Sequence, residues 1–242
     1  MNAKTQLICA WCGPAATVVW LIGFGFMAGF IPPPSPSDSA VEVQRMYAEN
    51  RDMIQAGLVL TMFGAALLGP FVASVAVQMK RIEGRHSPYT YTQLGLGMLL
   101  PAFFMIPVFL MLTASFRLDR NPEITQALND AGWLPFVGVF YATFIQVLAV
   151  GLCILQHPEQ RVFPRWLGFF NLWVGVVMLP DVLIFWFKSG PFAWNGIAPF
   201  WVILCAFCVW FLVMSWAVQR AVRQQVADER QAVALEREPI AA

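Results

Sequence analysis

Residues 53–79 read MIQAGLVLTMFGAALLGPFVASVAVQM and contain no charged side chain. A helix needs about 20 predominantly apolar residues to cross the hydrocarbon core of a bilayer, and this stretch exceeds that length. On both sides of it, five further stretches carry almost no charge. We therefore predict six transmembrane spans, at about residues 10–31, 54–79, 91–114, 133–156, 167–187 and 197–219.

The composition indicates a membrane protein rather than a soluble one. Of the 242 residues, 59% are hydrophobic and only 12% are charged, whereas soluble domains carry about 25% charged residues. A soluble protein with so few charges could not cover its surface with polar groups. The net charge of +1 predicts no electrostatic attraction to nucleic acid. The first span is too long and too rich in glycine for a typical cleaved signal, so we interpret it as a retained helix.

The loops on the two sides of the predicted spans differ in charge. One side carries eight basic residues: Lys4, Lys80, Arg81, Arg85, Arg161, Arg165, Arg220 and Arg223. The other side carries five basic residues, together with seven acidic residues: Asp38, Glu42, Glu49, Asp52, Asp119, Glu123 and Asp130. By the positive-inside rule, the first side is cytoplasmic. We therefore predict a multi-pass protein of the inner (cytoplasmic) membrane with both termini in the cytoplasm.

Two outer loops have the pattern of a short amphipathic helix. Residues 39–42, Ser-Ala-Val-Glu, have the spacing of a capping box. Apolar residues then follow at helical spacing: Val43, Met46 and Tyr47. In the second loop, Asn121 is a suitable N-cap, Pro122 suits the first helical position, and Gly132 predicts the end of the helix.

The predicted fold is therefore all-α. Residues 1–219 form a six-helix transmembrane bundle with two short amphipathic helices on its extracytoplasmic face, at about residues 39–51 and 122–130. Residues 220–242 form a cytoplasmic helical extension and tail, and we expect the helix to end near Pro239. Within the bundle, Gly25 and Gly29 form a pair of small residues that favours close helix contact.

Asp181 is the first candidate for a functional residue. It lies well inside the fifth span, directly after Pro180. Because an ionised carboxylate is costly in lipid, such residues usually face the bundle interior or a cavity, and Pro180 is expected to bend the helix beside it. Two interpretations are open. Asp181 is either an acid that binds a ligand or a proton, or a structural acid that is protonated or paired with Arg117 or Arg120.

Four other polar residues lie at comparable depths in the spans. A rise of 1.5 Å per residue places Thr61 and Tyr141 about as deep as Asp181. The same count places Gln146 and Asn171 deeper. With Asp181 they form one ligand-binding set if they line a common pocket. Otherwise they make interhelical hydrogen bonds, each worth about 0.6–2 kcal/mol.

Several enzyme and cofactor classes are excluded or disfavoured. The sequence has no HExxH, GxSxG or Walker motif. The only histidines, His86 and His157, lie in loops, which excludes a bis-histidine haem or a histidine-rich di-iron site within the bilayer. The five cysteines are interpreted as small apolar residues in or at the ends of spans: Cys9, Cys12, Cys153, Cys205 and Cys208. We predict no cofactor and no metal site.

Three functional hypotheses remain. The leading one is the binding or transport of a small lipophilic or weakly polar molecule in the outer half of the bilayer, with Asp181 as its polar anchor. The 21 Phe and 10 Trp residues suit a flat or long lipophile such as a sterol, a hydrocarbon or a quinone. The alternative is a non-catalytic accessory subunit of a larger membrane complex. The third is a membrane-embedded enzyme that uses Asp181 and Tyr141 as acid and base.

Each hypothesis requires a different structural feature. A binding protein requires an internal cavity that reaches Asp181. An accessory subunit requires a flat apolar or small-residue face and no cavity. An enzyme requires two polar groups within hydrogen-bond reach at a pocket. The predicted partners are the lipid bilayer, a lipophilic ligand and either other membrane proteins or a second copy of the chain, but no nucleic acid.

Overall fold

The structure is a computed structural model that describes residues 2–159 and 161–237. The described chain is helical and contains no β-strand. Six of its helical stretches are long and apolar enough to cross a membrane, and we number them spans 1 to 6: Ala3–Met27, Arg51–Glu83, Pro88–Phe116, Pro122–Gln156, Arg165–Phe185 and Ile197–Ala234. The protein is therefore a multi-pass membrane protein, and the predicted all-α fold with six spans is confirmed.

Each span consists of two helical segments. Span 1 contains α1 (Ala3–Trp20) and a first π-helical segment (Leu21–Met27). Span 2 contains α3 (Arg51–Ala66) and α4 (Leu68–Glu83). Span 3 contains α5 (Pro88–Gly97) and α6 (Leu100–Phe116). Span 4 contains α7 (Pro122–Val137) and α8 (Phe140–Gln156). Spans 5 and 6 contain α9 (Arg165–Val177) with a 3-10 segment (Leu179–Phe185), and a second π-helical segment (Ile197–Val202) with α10 (Ile203–Arg237). The helix α2 (Ala40–Glu49) lies outside the spans.

Proline accounts for three of these interruptions. Pro101 and Pro180 are the second residues of α6 and of the 3-10 segment, and Pro70 is the third residue of α4. A proline has no N–H group, and its ring clashes with the carbonyl four residues earlier. The helix is therefore interrupted in the turn before each proline. Pro180 was predicted to bend the fifth helix, and the structure shows that α9 ends at Val177 and that a 3-10 segment begins at Leu179.

The connections between spans lie at two ends of the bundle. The loop end, as we call it, contains α2 and the loops at residues 28–39, 117–121 and 186–196. Two hydrogen bonds join these loops. The Ser37 hydroxyl donates a hydrogen bond to the Lys188 carbonyl oxygen at 2.9 Å. Trp194 Nε1 donates one to the Pro34 carbonyl oxygen at 2.9 Å. The opposite end, the tail end, contains the start of α1 and the charged part of α10.

At the tail end, α10 continues beyond its apolar part as one unbroken helix to Arg237. The predicted helical extension after the last span is thus present. Its predicted end near Pro239 lies outside the described residues. The helix is held to span 2 by Arg81, whose Nη1 donates to the Ala221 carbonyl oxygen at 3.3 Å.

The predicted helix after Ser39 is present as α2. Ser39 Oγ accepts a hydrogen bond from the Glu42 backbone N–H at 3.4 Å, and Glu42 Oε2 accepts one from the Ser39 N–H at 2.7 Å, which completes the capping box. These bonds with Ser39 lower the pKa of Glu42. Val43 and Tyr47 are buried, as their spacing predicts. The Tyr47 hydroxyl donates to Asn129 Oδ1 at 3.1 Å, and burial raises the pKa of Tyr47.

The second predicted helix begins as expected but ends later. Asn121 Oδ1 accepts from the Glu123 backbone N–H at 3.0 Å, which confirms the cap. The predicted end at Gly132 is wrong, because α7 continues through Gly132 to Val137. A Cβ at Gly132 would lie 2.8 Å from Met111 Cγ. The glycine therefore allows α6 and α7 to pack closely and does not end the helix.

Spans 1 and 2 cross with their backbones in contact. A Cβ at Gly23 would lie 2.6 Å from the Gly57 carbonyl oxygen. A Cβ at Gly57 would overlap the Gly23 carbonyl oxygen and lie 2.6 Å from the Ala28 backbone nitrogen. Because these neighbours are backbone atoms, they cannot rotate away. Only glycine fits at this crossing.

We expect Gly57→Ala to lower the melting temperature of the purified protein. The added methyl must push two backbones apart, and overpacking of this kind costs about 1–3 kcal/mol. The matched control is Gly95→Ala, because an added Cβ at Gly95 has no neighbour within 4 Å. The control should be neutral or slightly stabilising, since alanine favours the helix. Equal melting temperatures for the two variants would refute the close crossing.

Candidate functional site

An apolar pocket lies between two clusters of buried side chains. The tail-side cluster includes Phe71, Val150 and Trp210, and the loop-side cluster includes Phe24 and Trp133. Residues that line the pocket include Trp20, Leu68, Phe104, Phe136, Phe200 and Cys208. The space in the pocket that a water molecule can enter is about 90 Å³. One water needs about 10–15 Å³ on this measure, so the pocket has room for several water-sized groups.

The pocket lies where four spans are interrupted. Trp20 is the last residue of α1 before the first π-helical segment, and Leu68 is the first residue of α4. Val139 lies in the break between α7 and α8, and Phe200 lies within the second π-helical segment. Irregular backbone at membrane depth is tolerated where protein buries it or where it lines a cavity. Short π-helical segments are also frequent at functional sites.

Aromatic rings form much of the pocket wall. Trp20 and Phe136 are stacked at 5.9 Å with an angle of 10° between their planes. Phe24 lies behind them and stacks on Phe136 at 4.5 Å. On α10, Phe207 and Phe211 stack at 5.9 Å. Because each ring is held by another, the wall presents flat and well-packed surfaces to whatever fills the pocket.

The pocket has few polar side-chain atoms. The Thr17 hydroxyl already donates to the Gly13 carbonyl oxygen at 3.1 Å. Trp20 Nε1 is shielded from water and has no hydrogen-bond partner in the part of the chain that the structure describes. The thiol of Cys208 is a weak donor. Because Trp20 Nε1 is enclosed by protein, Trp20 contributes the apolar face of its ring to the pocket wall.

Asp181 is only 1% exposed, which confirms the prediction that it faces the bundle. Its 3-10 segment packs against α7, α8 and the second π-helical segment, three elements close to the pocket. Asp181 itself does not line the pocket, and its Oδ1 has no hydrogen-bond partner among the described residues. The suggested partner Arg120 instead donates to the carbonyl oxygens of Arg117 at 2.6 Å and Thr113 at 2.8 Å.

Thr61 and Asn171 make structural hydrogen bonds. The Thr61 hydroxyl donates to the Gly57 carbonyl oxygen at 2.8 Å, beside the crossing of spans 1 and 2. Asn171 Oδ1 accepts from Trp210 Nε1 at 2.8 Å, and its Nδ2 donates to the Leu167 carbonyl oxygen at 2.8 Å. Asn171 thus joins α9 to α10, which supports the interhelical interpretation of this residue.

The two remaining predicted site residues lie elsewhere. Gln146 is fully buried, and neither of its amide atoms has a hydrogen-bond partner among the described residues. Its Nε2 lies 2.6 Å from the place that a Cβ on Gly97 would occupy. Tyr141 is 56% exposed on the surface of the bundle. The five residues selected by depth therefore do not converge on one pocket, and none of them lines the pocket found here.

Most pocket residues were missed by reasoning from polar groups. Phe104 belongs to the aromatic sequence at residues 103–105 and does line the pocket. Trp20, Phe136 and Phe200 have no distinguishing feature in a chain so rich in aromatic residues. The available signal was the position of proline, since Pro199 lines the pocket and Pro70 follows the break between α3 and α4, where Leu68 lines it.

Comparison of the chain with protein-family models, with curated proteins and with solved structures gave no match. Function is therefore inferred from the pocket, its walls and its setting in the membrane.

We expect Asp181→Asn to leave the melting temperature nearly unchanged. Breaking a buried ion pair costs about 3–5 kcal/mol, but the structure gives Asp181 no arginine to lose. The reference variant is Asn171→Leu, which leaves the Trp210 N–H without its acceptor and should cost about 1–3 kcal/mol. Thermal unfolding of both variants in the same detergent measures the difference. If Asp181→Asn is as destabilising as Asn171→Leu, the carboxylate has a charged partner and this account of it is wrong.

Proposed function

We propose that the protein binds a small lipophilic molecule in the apolar pocket, in the half of the membrane toward the loop end. The observation that carries the proposal is an apolar pocket placed where four spans are interrupted and walled by stacked aromatic rings. An apolar pocket with few polar groups is typical of sites for small apolar ligands. In membrane transporters, interrupted helices also surround the binding site.

The ligand enters from the bilayer, between α1 and α10. Toward the tail end these helices are held together, because the Ser215 hydroxyl donates to the Ala10 carbonyl oxygen at 2.7 Å. Further toward the loop end, Thr17 of α1 and Cys208 of α10 both line the pocket. The neighbouring Val18 is 55% exposed. A lipophile dissolved in the membrane meets an opening there without crossing water.

The ligand is predominantly apolar and planar, because the pocket walls are stacked aromatic rings with few polar atoms. Asp181, which the sequence suggested as the polar anchor, does not line the pocket. Trp20 Nε1 is enclosed by protein, so the ligand contacts the ring of Trp20. Flat and largely apolar molecules, including aromatic ketones, fit such walls.

A cavity is present, as the binding hypothesis requires, although it does not reach Asp181 as that hypothesis predicted. The pocket supports this proposal more than the two alternatives. An accessory subunit was expected to have a flat face and no cavity. An enzyme using Asp181 and Tyr141 was expected to hold both side chains together at a pocket. Asp181 is buried and Tyr141 is exposed, no hydrogen bond joins them, and neither lines the pocket.

The same proposal includes the orientation. We place the loop end outside the cytoplasm and the tail end, with its excess of arginine and lysine, inside, in the inner membrane of the cell. In this orientation α2 and the first turns of α7 are the two amphipathic helices of the outer face. The pocket then opens toward the outer leaflet.

Filling the pocket should abolish ligand binding. Cys208→Trp places a large ring in the pocket, and we expect retention of radiolabelled 9-fluorenone, a planar ketone, to fall at least tenfold. The measurement compares purified protein in lipid nanodiscs with empty nanodiscs, which corrects for partition into lipid. The matched control is Val209→Trp, on the next residue of α10, which is 47% exposed and does not line the pocket.

The control should retain the probe at the level of the unmodified protein. Equal retention by the Cys208→Trp and Val209→Trp variants would refute binding in this pocket. Both variants are first checked for an unchanged elution volume and melting temperature, so that a folding defect is not taken for a lost site.

Labelling of single cysteines tests the orientation. In a variant without the native cysteines, Val41→Cys lies on α2 at a position 57% exposed, and Arg85→Cys lies on the tail-end loop between α4 and α5. A membrane-impermeant maleimide added to intact cells should modify position 41 and not position 85. The reverse pattern would place the loop end in the cytoplasm and contradict the orientation.

A further inference from the structure

A basic recess lies on α10 at the tail end, separate from the apolar pocket. It is lined by Trp216, Gln219, Arg220, Arg223 and Gln224 and has a volume of about 220 Å³. The spacing of residues 216, 220 and 223 places one tryptophan and two arginines on one face of the helix.

The depth of the recess corresponds to lipid headgroups. Residues 197–219 rise by about 33 Å as a helix, slightly more than the roughly 30 Å of the hydrocarbon core. Arg220 and Arg223 follow directly, at the level of phosphate groups. Trp216 lies just before them, where tryptophan is enriched in membrane proteins.

The two arginines are available to bind an anion. No hydrogen bond or ion pair joins either guanidinium to a carboxylate within residues 2–159 and 161–237. The next acids along α10, Asp228 and Glu229, lie more than one turn beyond Arg223. The Arg220 guanidinium instead lies over the Trp216 ring, with Cζ 5.7 Å from the ring centroid. This contact holds the charge beside the recess.

A second helix contributes to the same surface. Trp216 contacts Trp166 of α9, with ring centroids 5.9 Å apart. Arg165 is the neighbour of Trp166 and is exposed, so a third cation lies at this level of the bundle. Gln219 is held in place, because its Nε2 donates to the Ser215 hydroxyl at 3.1 Å. The recess thus combines arginine guanidinium groups, glutamine amides and a tryptophan ring.

We propose that this recess binds the headgroup of an anionic phospholipid, phosphatidylglycerol, in the cytoplasmic leaflet. Guanidinium groups bind phosphate oxygens through paired N–H donors. The amides of Gln219 and Gln224 both donate and accept hydrogen bonds, so they suit the glycerol hydroxyls of this headgroup. Phosphatidylcholine has the same phosphate but adds a trimethylammonium group, which these cations repel. The recess therefore selects for net negative charge.

Native mass spectrometry of the full chain tests this site. The protein is titrated with phosphatidylglycerol and with phosphatidylcholine of the same acyl chains, and the bound fraction of each is measured. We expect phosphatidylglycerol to bind at least tenfold more tightly. In the double variant Arg220→Gln, Arg223→Gln, this preference should fall below about twofold. Each single variant should lose part of it.

A second pair of arginines provides the control for charge alone. Arg85→Gln with Arg161→Gln removes two positive charges from the same end of the bundle, at loop positions that do not line the recess. This variant should keep the tenfold preference. If it loses the preference as fully as the recess variant, or if the unmodified protein shows no preference, the site is refuted. Melting temperatures in phosphatidylcholine nanodiscs establish that both variants are folded.

Discussion

The whole arrangement depends on one constraint, which is that the bilayer core offers no water to backbone N–H and C=O groups. All six spans of this protein are interrupted, and the α-helical hydrogen-bond pattern changes at each interruption. A backbone group that loses its helical partner at such a point has no water to replace it. Such groups must be covered by protein. The interruptions of spans 1, 2, 4 and 6 accordingly lie together in the bundle, at the apolar pocket. The contact of Gly23 with Gly57 contributes directly, because it holds the irregular part of span 1 against span 2.

The same constraint explains the contacts at the loop end. There, α2 packs over α7 through Tyr47 and Asn129, and the Trp194 side chain is bonded to the Pro34 carbonyl oxygen. These contacts cover the bundle toward water. The sides of the bundle face lipid and need no polar cover, which is compatible with the proposed entry of an apolar ligand between α1 and α10.

What could be predicted from the sequence was whatever depends on local composition. The number of spans, the capping box at Ser39 and the break before Pro180 follow from the lengths of apolar stretches and from single residues. What could not be predicted was the rotation of each helix about its axis. In water, polar residues identify the outer face of a helix, but in lipid both faces are apolar. Asp181 and Tyr141 were placed at similar depth, yet one is buried and the other is exposed. For the same reason the pocket, which depends on facing apolar surfaces, could not be located from depth alone.

The most direct test of lipophile binding is a cryo-electron microscopy map of the protein purified in nanodiscs of its native lipids. The account predicts non-protein density between α1 and α10, in contact with Phe136 and with the ring of Trp20. It also predicts that α1 and α10 keep their separation around that density. A map that resolves these side chains and shows Phe104 and Phe207 filling the space, with no other density, would contradict the account.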